Sequence, residues 1–442
     1  MLKTLVDWFR GGPSGTANSA PSAQPVTAGS ASPLPTAGEG KVFGRRRPLL
    51  AAGGTVAGVE LRLPPTLERR SLARSHDVGA VARGAALLAA AGPLADGGRA
   101  VLLALPAAAF SQGDLALAAR PGLWIASEGA AVPGPVAAPW RERGARIGVC
   151  DLAPQQVTVE VDFAMLRASD GGIDTVLLGV QRWRQARPQL PLLVTELESI
   201  DDVERMLNSG VHLTGGRLDR SAAPLPPRAL QPAAHRICVL LNELAQDRDT
   251  ATIAESVRSD VNLTYRLLRY VNSPALGLSR RLDAVDQAVA VLGRNELYRW
   301  LSVLLLGAGQ GRPAAKALQE SALTRARLLE LLALGRQQDG GPAANSASPA
   351  TLFTAGLMST LDLMLQVPLA AAIQPLRLPD DVRLALLERQ GPLAAYLKLL
   401  EVLDGDDEQA LDAVAEPFGG SAAVVETAQK AWAWAEQAGR GG

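Results

Sequence analysis

The chain predicts a mixed architecture, α/β plus all-α: an incomplete TIM-type barrel followed by an all-helical domain. Three observations carry that expectation. Short apolar segments alternate with stretches of helical character between residues 45 and 220, the order that builds a parallel sheet or barrel. From residue 233 onward, apolar residues recur instead at helical spacing. Between these halves, residues 221–232 (SAAPLPPRALQP) are rich in breakers and read as a linker.

Residues 1–10 place Leu2, Leu5, Val6 and Phe9 on one side of a short amphipathic turn. So short a helix is marginal alone, which favours a frayed terminus over a docking element. Residues 11–40 are dominated by Gly, Ala, Ser, Thr and Pro and read as a disordered tether. Strands are expected at 55–61, 100–105, 123–126, 146–152, 157–161, 175–178 and 192–195, with helical character at 80–91 and 180–187. A complete eight-fold barrel takes about 250 residues. The span 45–220 is short for that, so some barrel helices should be lost or shrunken.

In the second half, Ile253, Val257, Val261, Leu267, Leu268 and Val271 mark one helix, capped by Asp249 or Thr250. Asn272, Ser273 and Pro274 end it, since proline disfavours helical geometry in the residue before it. Asp283 stands ready to cap the next helix, whose stripe is Val285, Ala288, Val289 and Leu292. Gly293 supplies a left-handed stop, and residues 296–306 restart as a more apolar helix. Residues 337–349 read as a loop inserted into the helical domain.

Lys plus Arg equals Asp plus Glu at 44 each, so no basic field draws nucleic acid. Cys150 and Cys238 are too far apart in sequence for zinc spacing and read as reduced thiols. No apolar run reaches membrane length, and residues 1–10 are too short for a signal peptide. A soluble, cytoplasmic protein is expected.

Leu267-Leu268, Asn272-Ser273, Ala288-Val289, Leu292-Gly293 and Leu297 with Trp300 fall in an ordered pattern. That pattern resembles the HDOD family, a bacterial output and sensor domain related in fold to HD-type phosphohydrolases. Residues 323–333 (LTRARLLELLA) and 352–365 (LFTAGLMSTLDLML) are similar to it as well, so the resemblance covers 232–418 in several blocks. HD-type hydrolysis needs His and Asp to hold metal. The histidines here are His76, His212 and His235, before or at the edge of this domain. His76-Asp77 spells the motif outside any such helix pattern and reads as two exposed polar residues near a helix start. No HD hydrolase is expected.

The strand order of the first half resembles the EAL family, barrel enzymes that hydrolyse cyclic di-GMP with two metal ions. The segments concerned are 59–62 (VELR), 146–153 (RIGVCDLA), 159–162 (VEVD), 193–199 (LVTELES) and 210–217 (GVHLTGGR). Carried across residue by residue, Glu60 and Asp151 remain as oxygen ligands. The family's asparagine falls at Ala104, the first aspartate of its pair at Cys150 and its lysine at Glu160. Its next glutamate falls near Ile125, with Glu128 close enough to leave that alignment open. Two magnesium-type ions need a cage of oxygens, so the resemblance implies a degenerate EAL-like domain with no catalytic residues, metal or cofactor.

Candidate ligand-binding residues are Glu60, Arg62, Asp151, Asp162, Glu196 and Arg217. Each has a plainer reading. Glu60 faces solvent or pairs with an arginine. Asp151 and Asp162 cap following helices, and Glu196, Glu198, Asp201 and Asp202 form a solvated helix start. Cys150 reads as a small buried hydrophobe, Asn272 and Ser273 as satisfying backbone groups, and Trp300 as core.

The expected organisation is a tail (1–44), a degenerate EAL-like domain (45–220), a linker (221–232) and a helical HDOD domain (233–442). The expected function is a non-catalytic bacterial signalling regulator that contacts kinases, cyclases or phosphodiesterases, with a homo-oligomer left open. The rivals are a cyclic di-GMP receptor using Arg62 and Arg217, and a residual phosphodiesterase using Glu60, Asp151, Asp162 and Glu196.

Overall fold

The computed structural model describes residues 45–62, 76–168, 171–273, 276, 278, 280–309, 311–338, 347–405 and 408–440. The readings made for 1–44, for the His76 and Asp77 side chains and for the middle of the 337–349 loop lie outside the described residues.

Eight strands close into a barrel: β1 (Arg45–Ala51), β2 (Val56–Arg62), β3 (Ala100–Pro106), β4 (Leu123–Glu128), β5 (Arg146–Cys150), β6 (Ala164–Arg167), β7 (Leu192–Leu197) and β8 (Leu213–Gly216). Strands β2 to β8 run parallel, while β1 is antiparallel to both neighbours. The reason is local. Gly53 and Gly54, at φ 90° and 72°, turn the chain tightly between β1 and β2, so a hairpin replaces the crossover helix that a parallel pair needs. Inward side chains, among them Leu49, Leu102, Trp124, Phe163, Met165 and Leu193, fill the interior, which makes the barrel a packed core and not a pore.

The outer helices are α1 (His76–Asp96), the single turns α2 (Ala107–Phe110) and α3 (Gly113–Ala116), α4 (Gly134–Glu142), α5 (Gly172–Ala186) and α6 (Ile200–Asn208). Only a 3-10 turn (Pro154–Gln156) follows β5, so the barrel is closed although its helices are reduced. Two expected strands are corrected. Residues 157–161 lie in the loop before β6, whose strand comes later at Ala164–Arg167. Residues 175–178 are inside α5, where Val176, Val180 and Trp183 form the buried stripe of a helix. A four-residue apolar run does not separate strand from helix by itself.

The helical half contains α7 (Pro232–Ala245), α8 (Thr250–Arg258), α9 (Val261–Val271), α10 (Val285–Leu306), α11 (Ala315–Gln338), α12 (Pro349–Met358), α13 (Leu361–Leu365), α14 (Leu369–Ile373), α15 (Asp380–Glu388), α16 (Ala394–Asp404), α17 (Glu408–Ala415) and α18 (Gly420–Arg440). The single helix expected over 253–271 is two. Asp260 accepts from the backbone N–H groups of Asn262 and Leu263 and starts α9 afresh. Val261, expected in the buried stripe, is therefore exposed. Asp249 caps α8 as expected, through the N–H of Thr252. Asp283 does not cap α10, whose N-cap is Ala284; Asp283 instead faces Arg281 at 3.5 Å. Gly293 breaks α10 at the expected position, but at φ 72°, ψ 170°, an extended region open almost only to glycine and not the left-handed helical conformation expected. Asn272 clamps the break after α9, its amide donating to the Leu282 carbonyl and accepting from the Leu282 N–H. Trp300 is buried and stacked on Tyr270, with ring centroids 6.0 Å apart.

The two halves meet through a buried arginine. Arg312 pairs with Glu204 and Asp201 of α6, each at 2.9 Å, and donates to the Leu363 carbonyl at 3.1 Å. Gly54 lies so close to Pro313 that a Cβ there would stand 1.5 Å from its carbonyl oxygen. Barrel and helical side chains merge in one hydrophobic cluster.

Candidate functional site

The parallel strands end at one rim of the barrel, the end at which such barrels gather functional groups. Two clusters of charge stand there. In the first, β2 brings Glu60 and Arg62 and β7 brings Glu196. Arg62 donates to the Glu196 carboxylate and lies 3.8 Å from Glu60. Glu60 is 3% exposed and Glu196 8%. Burial pushes the Glu60 carboxyl above its usual range, opposed by Arg62 and Arg47 and reinforced by Glu196. Its Oε2 has no hydrogen-bond partner, an open buried acceptor beside a guanidinium.

The second cluster joins α1, β4, β6 and the end of β5. Glu128 accepts from Arg83 at 3.0 Å and from Arg167 at 2.9 Å. Arg167 also donates to Asp151 at 2.6 Å, and its backbone N–H reaches the same carboxylate at 2.8 Å. Burial disfavours the charged guanidinium, but Asp151 and Glu128 outweigh that cost and hold it protonated. Burial pushes the Cys150 thiol well up, so it stands as a protonated donor, 3.2 Å from Asp151. Asp151 and Glu196 both sit at positive φ, 55° and 62°, where a residue with a Cβ pays about 1–2 kcal/mol.

The sequence-derived candidates thus separate. Glu60, Arg62 and Glu196 come together, and Asp151 stands on the same rim with Glu128. It is Glu128, not Ile125, that reaches the rim, since Ile125 belongs to the outer apolar layer. Asp162 is at the opposite end, where it accepts from the Ile147 N–H at the start of β5 and from Arg141. The expected cap roles of Asp151 and Asp162 are corrected, since each holds a strand end and an arginine. Glu196 is likewise not part of a solvated helix start; that reading fits Asp201 and Asp202, in the first turn of α6 behind the Ser199 cap. Glu60 is buried and ion-paired. Arg217 follows β8 and is taken by Asp219 through two bonds of 2.9 and 2.7 Å.

Sequence reasoning missed Arg83 and Arg167. Arg83 is a lone cation in an alanine-rich helix and Arg167 ends a four-residue strand, so neither falls in a pattern that marks a site. The donor set does not suit a pair of magnesium-type ions. The rim carboxylates face guanidinium groups, Ala104 offers no side-chain oxygen, and among the described residues no three His, Cys, Asp or Glu gather as metal ligands.

The helical half decides the family of that segment. Residues 229–370 match the HDOD domain. This HDOD domain thus runs from α7 to α14, and α15 to α18 fold back onto it. Curated relatives include the uncharacterized protein YuxH of Bacillus subtilis, 26% identical over 221 residues that cover 49% of this chain and 52% of that protein. Another is the cyclic di-GMP phosphodiesterase CdgJ of Vibrio cholerae, 27% identical over 221 residues covering 50% of this chain and 49% of that one. The chain spans about half the length of these relatives. Solved structures similar to it include BlrP1 of Klebsiella pneumoniae with manganese and cyclic di-GMP, at 15% identity, TM-score 0.32, and coverage of 41% and 56% of the two chains. The EAL domain of Mycobacterium smegmatis DcpA is similar at 13% identity and TM-score 0.31, covering 39% of this chain and 88% of that one. No described helix is long and apolar enough to cross a membrane.

Proposed function

We propose that this chain is a non-catalytic regulator in cyclic di-GMP signalling, acting through contacts with other signalling proteins such as kinases, cyclases or phosphodiesterases. The observation that carries the reading is the pairing at the barrel rim. Glu60, Glu196, Glu128 and Asp151 each face an arginine at ion-pair distance. A guanidinium supplies the positive charge that such carboxylates would otherwise take from a cation, and its planar fork fits carboxylates in pairs. The setting in cyclic di-GMP signalling rests on the HDOD domain and on the activity named for CdgJ.

The receptor reading is less favoured because Arg62 and Arg217, its two candidate cations, are already engaged by Glu196 and Asp219. The test is incubation of the full chain with cyclic di-GMP and magnesium or manganese, following the linear dinucleotide product. The expected result is no product above a protein-free control. Turnover proportional to protein, abolished by Glu60→Gln, would return the reading to a phosphodiesterase. Calorimetric titration with cyclic di-GMP in EDTA separates the third case, since saturable metal-free binding there marks a receptor.

A further inference from the structure

We propose that the cavity between the barrel and the helical domain binds a small amphipathic monoanion, an apolar ring or chain carrying one carboxylate-type group. The cavity has a volume of about 590 Å³ and lies between β1, the segment after β8, and helices α11, α16 and α18. That is the size of a small-molecule site, which is typically apolar with a few placed polar groups. Leu328, Leu400, Leu403 and Val425 supply the apolar wall.

The anionic group is assigned by Arg46. Its guanidinium stacks over Trp432, 5.4 Å from the ring centroid, and its Nε is buried with no hydrogen-bond partner. The other cations on the lining face carboxylates, Arg47 that of Glu60. Arg217 holds Asp219 through two bonds, Arg325 holds Asp404, Glu320 takes Arg99 at 3.1 Å, and Asp412 accepts from Ser421. Desolvation depresses the Arg46 pKa, with Glu436 the opposing charge. A single carboxylate in the cavity would pair with that guanidinium. A more highly charged ligand would bring its second charge against Asp219 or Asp404. Both halves line the cavity, so its occupant holds them together and binding is read by both domains.

The test uses 1-pyrenebutyrate and its neutral analogue 1-pyrenebutanol, titrated into the full chain by fluorescence. The anion should bind saturably at one site, roughly tenfold tighter than the alcohol, the scale of one charge-assisted contact. Arg46→Met, checked for an unchanged circular dichroism spectrum, should erase that preference and leave the alcohol's affinity as it was. Ala428→Phe keeps Arg46 and fills the space beside it, and should weaken both probes. Equal affinity for the two probes, a preference that survives Arg46→Met, or binding untouched by Ala428→Phe would each overturn the proposal.

Discussion

Removing the Arg62 cation tests the first rim cluster most directly. Arg62→Met keeps most of the side-chain volume and leaves Glu60 and Glu196, buried to 4% and 10% side-chain exposure, without that partner. Breaking a fully buried pair costs about 3–5 kcal/mol. The Arg62 side chain is 32% exposed, so screening brings the expected loss to about 2–3 kcal/mol at pH 8. The pH dependence then has a definite sign. The Glu60 carboxyl is already raised by burial, and losing Arg62 raises it further. Above the unfolded glutamate pKa, the folded variant binds more protons than the unfolded chain, so its stability falls as pH rises. Lowering the pH to 5 should therefore recover most of the loss. Urea unfolding at pH 5 and 8, followed by tryptophan fluorescence and circular dichroism together, measures this. A double variant Arg62→Met/Glu60→Gln should regain stability at pH 8. A loss below about 0.5 kcal/mol at pH 8, or one that grows at pH 5, would refute the description of the cluster as a buried ion pair.

Glu296 offers a second titration. Burial raises its carboxyl to about 7, against Arg299 and reinforced by Glu330. Its contribution is full below the unfolded value near 4.5 and lost as pH rises through 7, so Glu296→Gln should stabilise the chain at pH 8 by about 1–2 kcal/mol after discounting for partial exposure. Melting curves at pH 5 and 8 should show the gain only at the higher pH. Arg312→Met strands Asp201 and Glu204 at the junction of the halves. It should cost about 3 kcal/mol and split one unfolding transition into two by calorimetry. Gly293→Ala forces a Cβ into φ 72°, ψ 170° and should cost about 1–3 kcal/mol in urea unfolding, although open space surrounds the position. Asn272→Ala loses both bonds to Leu282 and should cost about 1–3 kcal/mol, leaving those buried backbone groups unpaired.

Elements with long or punctuated patterns were legible in the chain. The Asp249 cap, the break at Asn272, the glycine at 293 and the burial of Trp300 all follow from local chemistry that tertiary packing did not override. Short apolar runs were not. Residues 157–161 and 175–178 carry strand-like composition, but one lies in a loop and the other on a helix. β1, with three consecutive arginines at its start, gives no strand signal at all. It is a strand because the Gly53-Gly54 turn returns it onto β2 and β8 closes over it.

The sequence by itself determined the two-part order and the helical periodicity of residues 233 onward, because those are properties of residue type and spacing. Only the tertiary structure decided which charges meet. Arg83 and Arg167 lie 45 and 39 positions from Glu128, separations that carry no pairing information; closure of the barrel brings both to it. The same closure sends Asp162 to the far rim, because it falls before β6 and not after it. Strand ends meet across the barrel through register and shear, which no local pattern in the chain encodes.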